Sequence, residues 1–288
     1  MANVYQMVTD RIVEQMSKGI IPWQKPWVGG SALAISYESR KADSFLNQLL
    51  LARPGEWLTW KQIQAKKGKV KKGAKSRFCV FYQMVAEKDK EGNPVLDGKG
   101  NAVMYPILKW YSVFHIDDTE GIESKIEPVE ADHDIQPIDA AEAVIEGYLS
   151  REEGLKFIND RESSQAYYSP SKDEVVVPMI TQYAIPEEYY STAFHEFTHS
   201  TMKESRCNRK TENEGAHFGN MVYSREELVA EMGAAMLCNR IGIECEKAFK
   251  NSAAYIQSWL KALKNDPKMI VWASGRAEKA AKYILNEA

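Results

Sequence analysis

Hydrophobic positions in the first third of the chain change their period twice. Val4, Met7, Val8, Ile12, Val13 and Met16 recur every three to four residues, which predicts an amphipathic helix ending near Gly19. Prolines at 22 and 26 then punctuate the stretch that holds Trp23 and Trp27, so an extended, aromatic-rich segment is expected there. Short helices are predicted over residues 44–52 and 59–67. Beyond Gly73 the pattern becomes that of strands, over residues 77–82 and 108–115, with the charged, Gly-containing stretch 87–100 as the loop of their hairpin. The second half opens with a helix over 139–149. A hairpin follows over 167–178, its second strand at residues 174–177. Helices are expected over 186–203, from Ser224 onward, and over 252–263 and 277–286. The pattern is that of an α+β fold.

The stretch His195-Glu196-Phe197-Thr198-His199 changes this picture most. On a helix, residues four apart lie one above the other, so His195 and His199 can reach one metal ion. Neutral imidazoles are good zinc ligands, and Glu196 is placed to take a proton from a metal-bound water. A catalytic zinc needs a third protein ligand and an open position. Met202 and Ser205 stand where a Gly and a third His would be needed, so a carboxylate from the next helix is expected. Ser224 reads as its N-cap. Glu227 is assigned as the ligand and Glu231, four residues on, as the residue that orients a ligand histidine; the reverse order stays open. Glu226 is expected to face solvent or to cap. Tyr223 and His217 are candidates for stabilising a developing oxyanion. The strand before the first metal helix is expected to be the sheet edge on which a peptide substrate is held.

Length permits two domains, each with its own core: residues 1–120, a linker over 121–138 in an acidic, proline-containing stretch, and residues 139–288. Charge separates the halves. Residues 1–120 carry 18 Lys+Arg against 12 Asp+Glu, and the remainder 19 against 28. No acidic residue lies between Trp57 and Ala86, whereas Lys66, Lys67, Lys69, Lys71, Lys72, Lys75 and Arg77 crowd one short segment. Such a cluster can track a phosphate backbone, with Trp23, Trp27, Tyr37, Trp57 and Trp60 available to stack unpaired bases. Single-stranded DNA is the expected partner because no recognition-helix motif is present. No apolar run reaches membrane-spanning length, and the N-terminal helix, broken by acidic residues, does not read as a signal peptide. Four cysteines without a C-x-x-C pair suit a reducing cytoplasm.

In order along the chain, Ile21-Pro22-Trp23, Pro26-Trp27, Asn47, Trp57-Leu58-Thr59, Gly68, Lys72-Gly73, Tyr168-Ser169-Pro170, Tyr189-Tyr190, His195 to His199, Ser205-Arg206, Glu226 to Glu231, and Trp259-Leu260 resemble the ArdC family of antirestriction proteins. The resemblance implies a small α+β domain that binds single-stranded DNA, followed by a zincin-like metallopeptidase domain with Zn²⁺ as cofactor. It also implies a mobile-element source, protection of incoming DNA from restriction, and a protein or peptide as a further partner. Two other readings fit the residues: a DNA-binding module whose metal domain is structural or inactive, and an intracellular zinc peptidase that does not bind DNA.

Overall fold

The computed structural model describes residues 3–18, 22–24, 33–126, 137–209, 221–243 and 253–287. Helix α1 (Val4–Met16) starts at Asn3, whose side chain accepts the Tyr5 N–H. A 3-10 turn, Pro22–Gln24, replaces the extended segment expected there, and Trp27 lies outside the described residues. Strand β1 (Ala34–Ser36), helix α2 (Phe45–Leu51) and strand β2 (Gly55–Thr59) make a parallel crossover unit that the residue pattern did not announce. Helix α3 (Trp60–Ala65) carries a full capping box between Thr59 and Gln62. Strands β4 (Arg77–Ala86) and β5 (Met104–His115) pair antiparallel over ten residues, and the sheet order is β1-β2-β5-β4. The edge of β4 is blunted from α2: Asn47 Oδ1 accepts the Val80 N–H at 2.8 Å and its Nδ2 donates to the Val80 carbonyl at 3.1 Å. Between β4 and β5 the chain folds back twice, with Asp89 and Asp97 each accepting two backbone N–H groups.

The expected linker begins too early. Strand β3 (Lys69–Val70) pairs with β6 (Thr119–Glu120), and the buried Glu56 carboxylate accepts the Ser124 hydroxyl and the Lys125 N–H. These contacts tie residues up to 125 to the first half.

In the second half, α4 (Pro137–Arg151) leads to a three-stranded sheet of β7 (Lys156–Ile158), β8 (Tyr167–Ser169) and β9 (Glu174–Val176) in the order β7-β9-β8. The strand expected at the sheet edge is therefore its centre, because β7 pairs with β9 on the other side. Helices α5 (Pro186–Ser200), α6 (Met221–Ile241), α7 (Ala253–Asn265) and α8 (Met269–Leu285) complete the chain.

The two halves do not enclose separate main cores. Val8, Ile12 and Met16 of α1, Trp23, and Leu49 and Leu50 of α2 join one apolar cluster with Tyr148, Phe194, Phe197, Leu228, Met232 and Ile270. Each such fully buried side chain is worth roughly 1.5–3 kcal/mol of transfer free energy. Val8, Ile12 and Met16 thereby favour the docking of α1 on a cluster shared with the second half.

Candidate metal centre

Helix α5 owes its start to Pro186 at the first helical position and to Glu187 and Glu188 in the first turn, where acidic groups oppose the helix dipole. Phe194, Phe197 and Thr198 face the interior and are fully buried. Their burial fixes the rotation of the helix and sends His195 and His199 to one side. Helix α6 packs against this face at close range through Gly233: a Cβ there would lie 2.5 Å from Thr198 Cγ2 and 2.7 Å from its Oγ1. The close approach brings the α6 carboxylates to the α5 imidazoles.

His195, His199 and Glu227 offer one donor atom each within 4.8 Å of one another. The two Nε2 atoms are 3.1 Å apart; His195 Nε2 is 3.5 Å from Glu227 Oε2, and His199 Nε2 is 3.4 Å from Glu227 Oε1. A tetrahedral ion with bonds of about 2.05 Å has ligand-to-ligand edges of about 3.3 Å. The two imidazoles stand about that far apart and each has its own Glu227 oxygen at a similar distance, so the His195, His199 and Glu227 side chains suit a zinc-type divalent ion.

The surrounding charges have the same sense. Burial alone would lower the His199 pKa, but contacts from Glu226 and Glu227 outweigh it and raise it to about 10. His195 is likewise raised, against burial, chiefly by Glu227. The Glu227 carboxyl is held far below the usual range despite burial, by hydrogen bonds from both imidazoles. A site so electronegative favours a cation among its nitrogens and oxygens.

Glu226 departs from the sequence expectation. It is buried, not solvent-facing, with Oε1 3.5 Å from His199 Nδ1. Arg209 fixes its other side, with Nη2 2.8 Å from Oε1 and Nε 3.2 Å from Oε2. Arg209 also donates to the Thr198 carbonyl and Thr201 hydroxyl at the end of α5. Its Glu226 carboxyl sits at about 2, where burial, which raises it, is outweighed by His199 and Arg209. Ser224 lies inside α6, which begins at Met221, so it is not the N-cap. Glu231 is one turn past Glu227; its Oε2 is buried without a hydrogen bond, and its charge acts on His195. Glu196 is buried on the same turn as His195 and acts electrostatically on both imidazoles. His217 and the Tyr223 side chain lie outside the described residues.

Behind the site, Arg206 binds the α5 end to neighbouring elements. It reaches Asp173 through two nitrogens at 2.8 Å each, Glu152 just past α4 at 2.6 Å and the Ser200 carbonyl at 2.9 Å.

The residues assigned to DNA separate into two groups. Lys67, Lys69, Lys71, Lys72 and Lys75 are exposed. Lys66 instead pairs with Glu38 at 2.9 Å and lies over the Tyr37 ring, and Lys71 donates to the Asp117 carbonyl at 2.7 Å. Arg77 is half-buried, with Nη1 buried and without an acceptor, its guanidinium 5.7 Å from the Trp57 ring. Trp23 offers no face to a base: it is fully buried, edge-on to Trp259 at 6.2 Å. Trp57 and Tyr37 are buried as well, leaving Trp60 exposed among the described members of the expected set. The sequence reading passed over the aromatic residues of β4 and β5, whose strand pattern concealed their exposure.

Fold and donor set together define a chain of the zincin-like class joined to a mixed-sheet N-terminal unit. The zincin-like metallopeptidase family profile matches residues 148–276, and the profile of the N-terminal domain of anti-restriction factor ArdC matches residues 2–114. The Mn(II)-bound crystal structure of antirestriction protein ArdC from the R388 plasmid superposes with a TM-score of 0.72 at 30% identity, over 99% of this chain and 97% of that one. Its metal-free form gives 0.74 at 29% identity, over 99% of both chains. The chain belongs to the ArdC family of antirestriction proteins. Among curated relatives, DNA primase TraC of Escherichia coli is 30% identical over 98% of this chain, which spans only 20% of that protein's length, or 27% in a second TraC. Protein y4eC of Sinorhizobium fredii is 27% identical over 98% of this chain and 91% of its own length. Among the described residues no helix is long and apolar enough to cross a membrane.

Proposed function

We propose that this protein binds single-stranded DNA through its first half, as an antirestriction-type protein of a mobile element, and carries a zinc-dependent peptidase site in its second. The observation that carries the peptidase reading is the convergence of the His195, His199 and Glu227 donor atoms within 4.8 Å of one another. His195, His199 and Glu227 would hold a divalent ion, which would supply a Lewis acid and an acidified water. Glu196, beside His195 on α5, would be the proton acceptor for such a water and the donor to the leaving amine nitrogen of the peptide. Glu226 accepts from His199 Nδ1–H and so directs the Nε2 lone pair to the ion. Glu231 acts electrostatically on His195, and Tyr223 or His217 would donate to the developing oxyanion. Glu196→Gln should keep its metal and lose hydrolysis of a peptide substrate; hydrolysis at the wild-type rate would sink the mechanism.

The exposed lysines and the net positive first half support the DNA reading. Binding of labelled single-stranded and duplex oligonucleotides across a salt series tests it. The reading expects preference for the single strand, with affinity falling by a log–log slope of about −0.7 per phosphate neutralised. Equal, salt-insensitive binding to both would reject it. A cytoplasmic location is part of the proposal: Cys79 and Cys207 are buried thiols outside any disulfide, as suits a reducing compartment.

A further inference from the structure

Three of the most exposed large aromatic side chains among the described residues lie along one face of the first sheet. In the β4–β5 register, Phe78 is opposite Ser112, Val80 opposite Trp110 and Tyr82 opposite Leu108. Alternate residues of a strand share a face, so Phe78, Tyr82, Trp110 and Phe114 lie on the same side of the ribbon. Trp60, at the start of α3, joins them by packing on Phe114 with ring centroids 6.1 Å apart, and Phe78 supports Trp110 edge-on at 6.4 Å. Despite this support Trp60, Trp110 and Tyr82 remain 50%, 46% and 56% exposed. At about 3.4 Å per residue, the row from Phe114 past Trp110 to Leu108 runs roughly 20 Å.

Cations accompany the row. Lys61 is exposed beside Trp60. At the other end Tyr82 meets the Tyr5 hydroxyl and feels the charge of Arg276, while Lys268 lies 5.6 Å over the Tyr5 ring. Arg276 itself rests on Trp272 at 4.0 Å. Exposed π-faces flanked by cations at both ends match a strand of unpaired bases and phosphates better than they match an apolar protein partner.

We infer that Trp60, Trp110 and Tyr82 form the base-stacking platform for single-stranded DNA, and that Lys268 and Arg276 of the second half extend its phosphate track. The inference rests on the single-strand reading proposed above and locates it on this sheet face, away from the buried Trp23. Each base stacked on an aromatic ring is worth roughly 5- to 150-fold in affinity.

The test uses the full chain, labelled oligo(dT) and intrinsic tryptophan emission. Trp60→Ala/Trp110→Ala should weaken oligo(dT) binding at least about 30-fold. Trp60→Phe/Trp110→Phe should retain affinity within about threefold while losing most of the tryptophan quenching that DNA causes in the wild type. Wild-type affinity in the Ala/Ala protein would overturn the platform and leave the single-strand reading standing. Equal loss in the Phe/Phe and Ala/Ala proteins would overturn stacking as its basis. Failure of the wild type itself to bind oligo(dT) would reject the underlying reading instead.

Discussion

Gly233 sits where α5 and α6 come closest, and replacing it with alanine tests whether that approach holds the metal ligands together. The new Cβ would meet Thr198 Cγ2 at 2.5 Å and Oγ1 at 2.7 Å, against an ordinary contact of 3.4 Å or more. Thr198 cannot easily turn away: it is fully buried and its hydroxyl donates to the Phe194 carbonyl at 2.7 Å. The helices must therefore part by a sizeable fraction of an ångström. Overpacking of this kind costs about 1–3 kcal/mol, while alanine's better helix propensity returns up to about 1 kcal/mol. A net loss of about 1 kcal/mol is expected for Gly233→Ala in urea unfolding. Metal affinity should fall with it, because Thr198 lies between His195 and His199, and Gly233 lies within two turns of Glu227. Thr198→Ala removes both clashing atoms, so the double variant should recover about 1–2 kcal/mol relative to the sum of the single changes. Additivity within about 0.5 kcal/mol would refute the argument.

Other outcomes follow from the charges. Burial alone would raise the Asp173 carboxyl, but hydrogen bonds from Arg206, Lys203 and Tyr168 hold it at about 2 against an ordinary 3.8. Its folded pKa is depressed, so it contributes about 2 kcal/mol above pH 4 that is lost as pH falls toward 2. Asp173→Asn should abolish that part of the pH dependence, and an unchanged acid-unfolding profile would count against the network. Arg209→Met leaves Glu226 buried beside His199 without its cation and should cost about 3 kcal/mol in chemical unfolding. Restoring much of that loss with Glu226→Gln in the same protein would tie the cost to the charge; no recovery would argue for packing alone. The Cys79 thiol is pushed up to about 12, first by burial. It should resist a thiol reagent at pH 8 in the native protein and react on unfolding.

How far the sequence could be read depended on the distance between interacting residues. The juxtaposition of His195 and His199 was legible because they are neighbours on one turn, and the helix signals around them are local. Glu227 was legible for a similar reason, as one of a few carboxylates on the next amphipathic segment. Glu226 was misread because Ser224 was taken as the N-cap. With α6 starting at Met221, Glu226 instead meets Arg209, a residue on a separate segment. No local pattern reveals such a partner. Trp23 posed the same problem at longer range: between prolines it looked solvent-facing, yet its partner Trp259 lies on α7. Strands β1 and β7, three residues each, are too short to show alternation, which hid the crossover unit and the central place of β9.

Metal stoichiometry measured on the purified chain and its variants tests the central claim most directly. The account predicts about one zinc-type ion per chain in the wild type and in Glu196→Gln, and its loss in His199→Ala and in Glu227→Ala with the fold retained. An ion retained at full stoichiometry in either ligand variant, or none bound by the zinc-supplemented wild type, would contradict it.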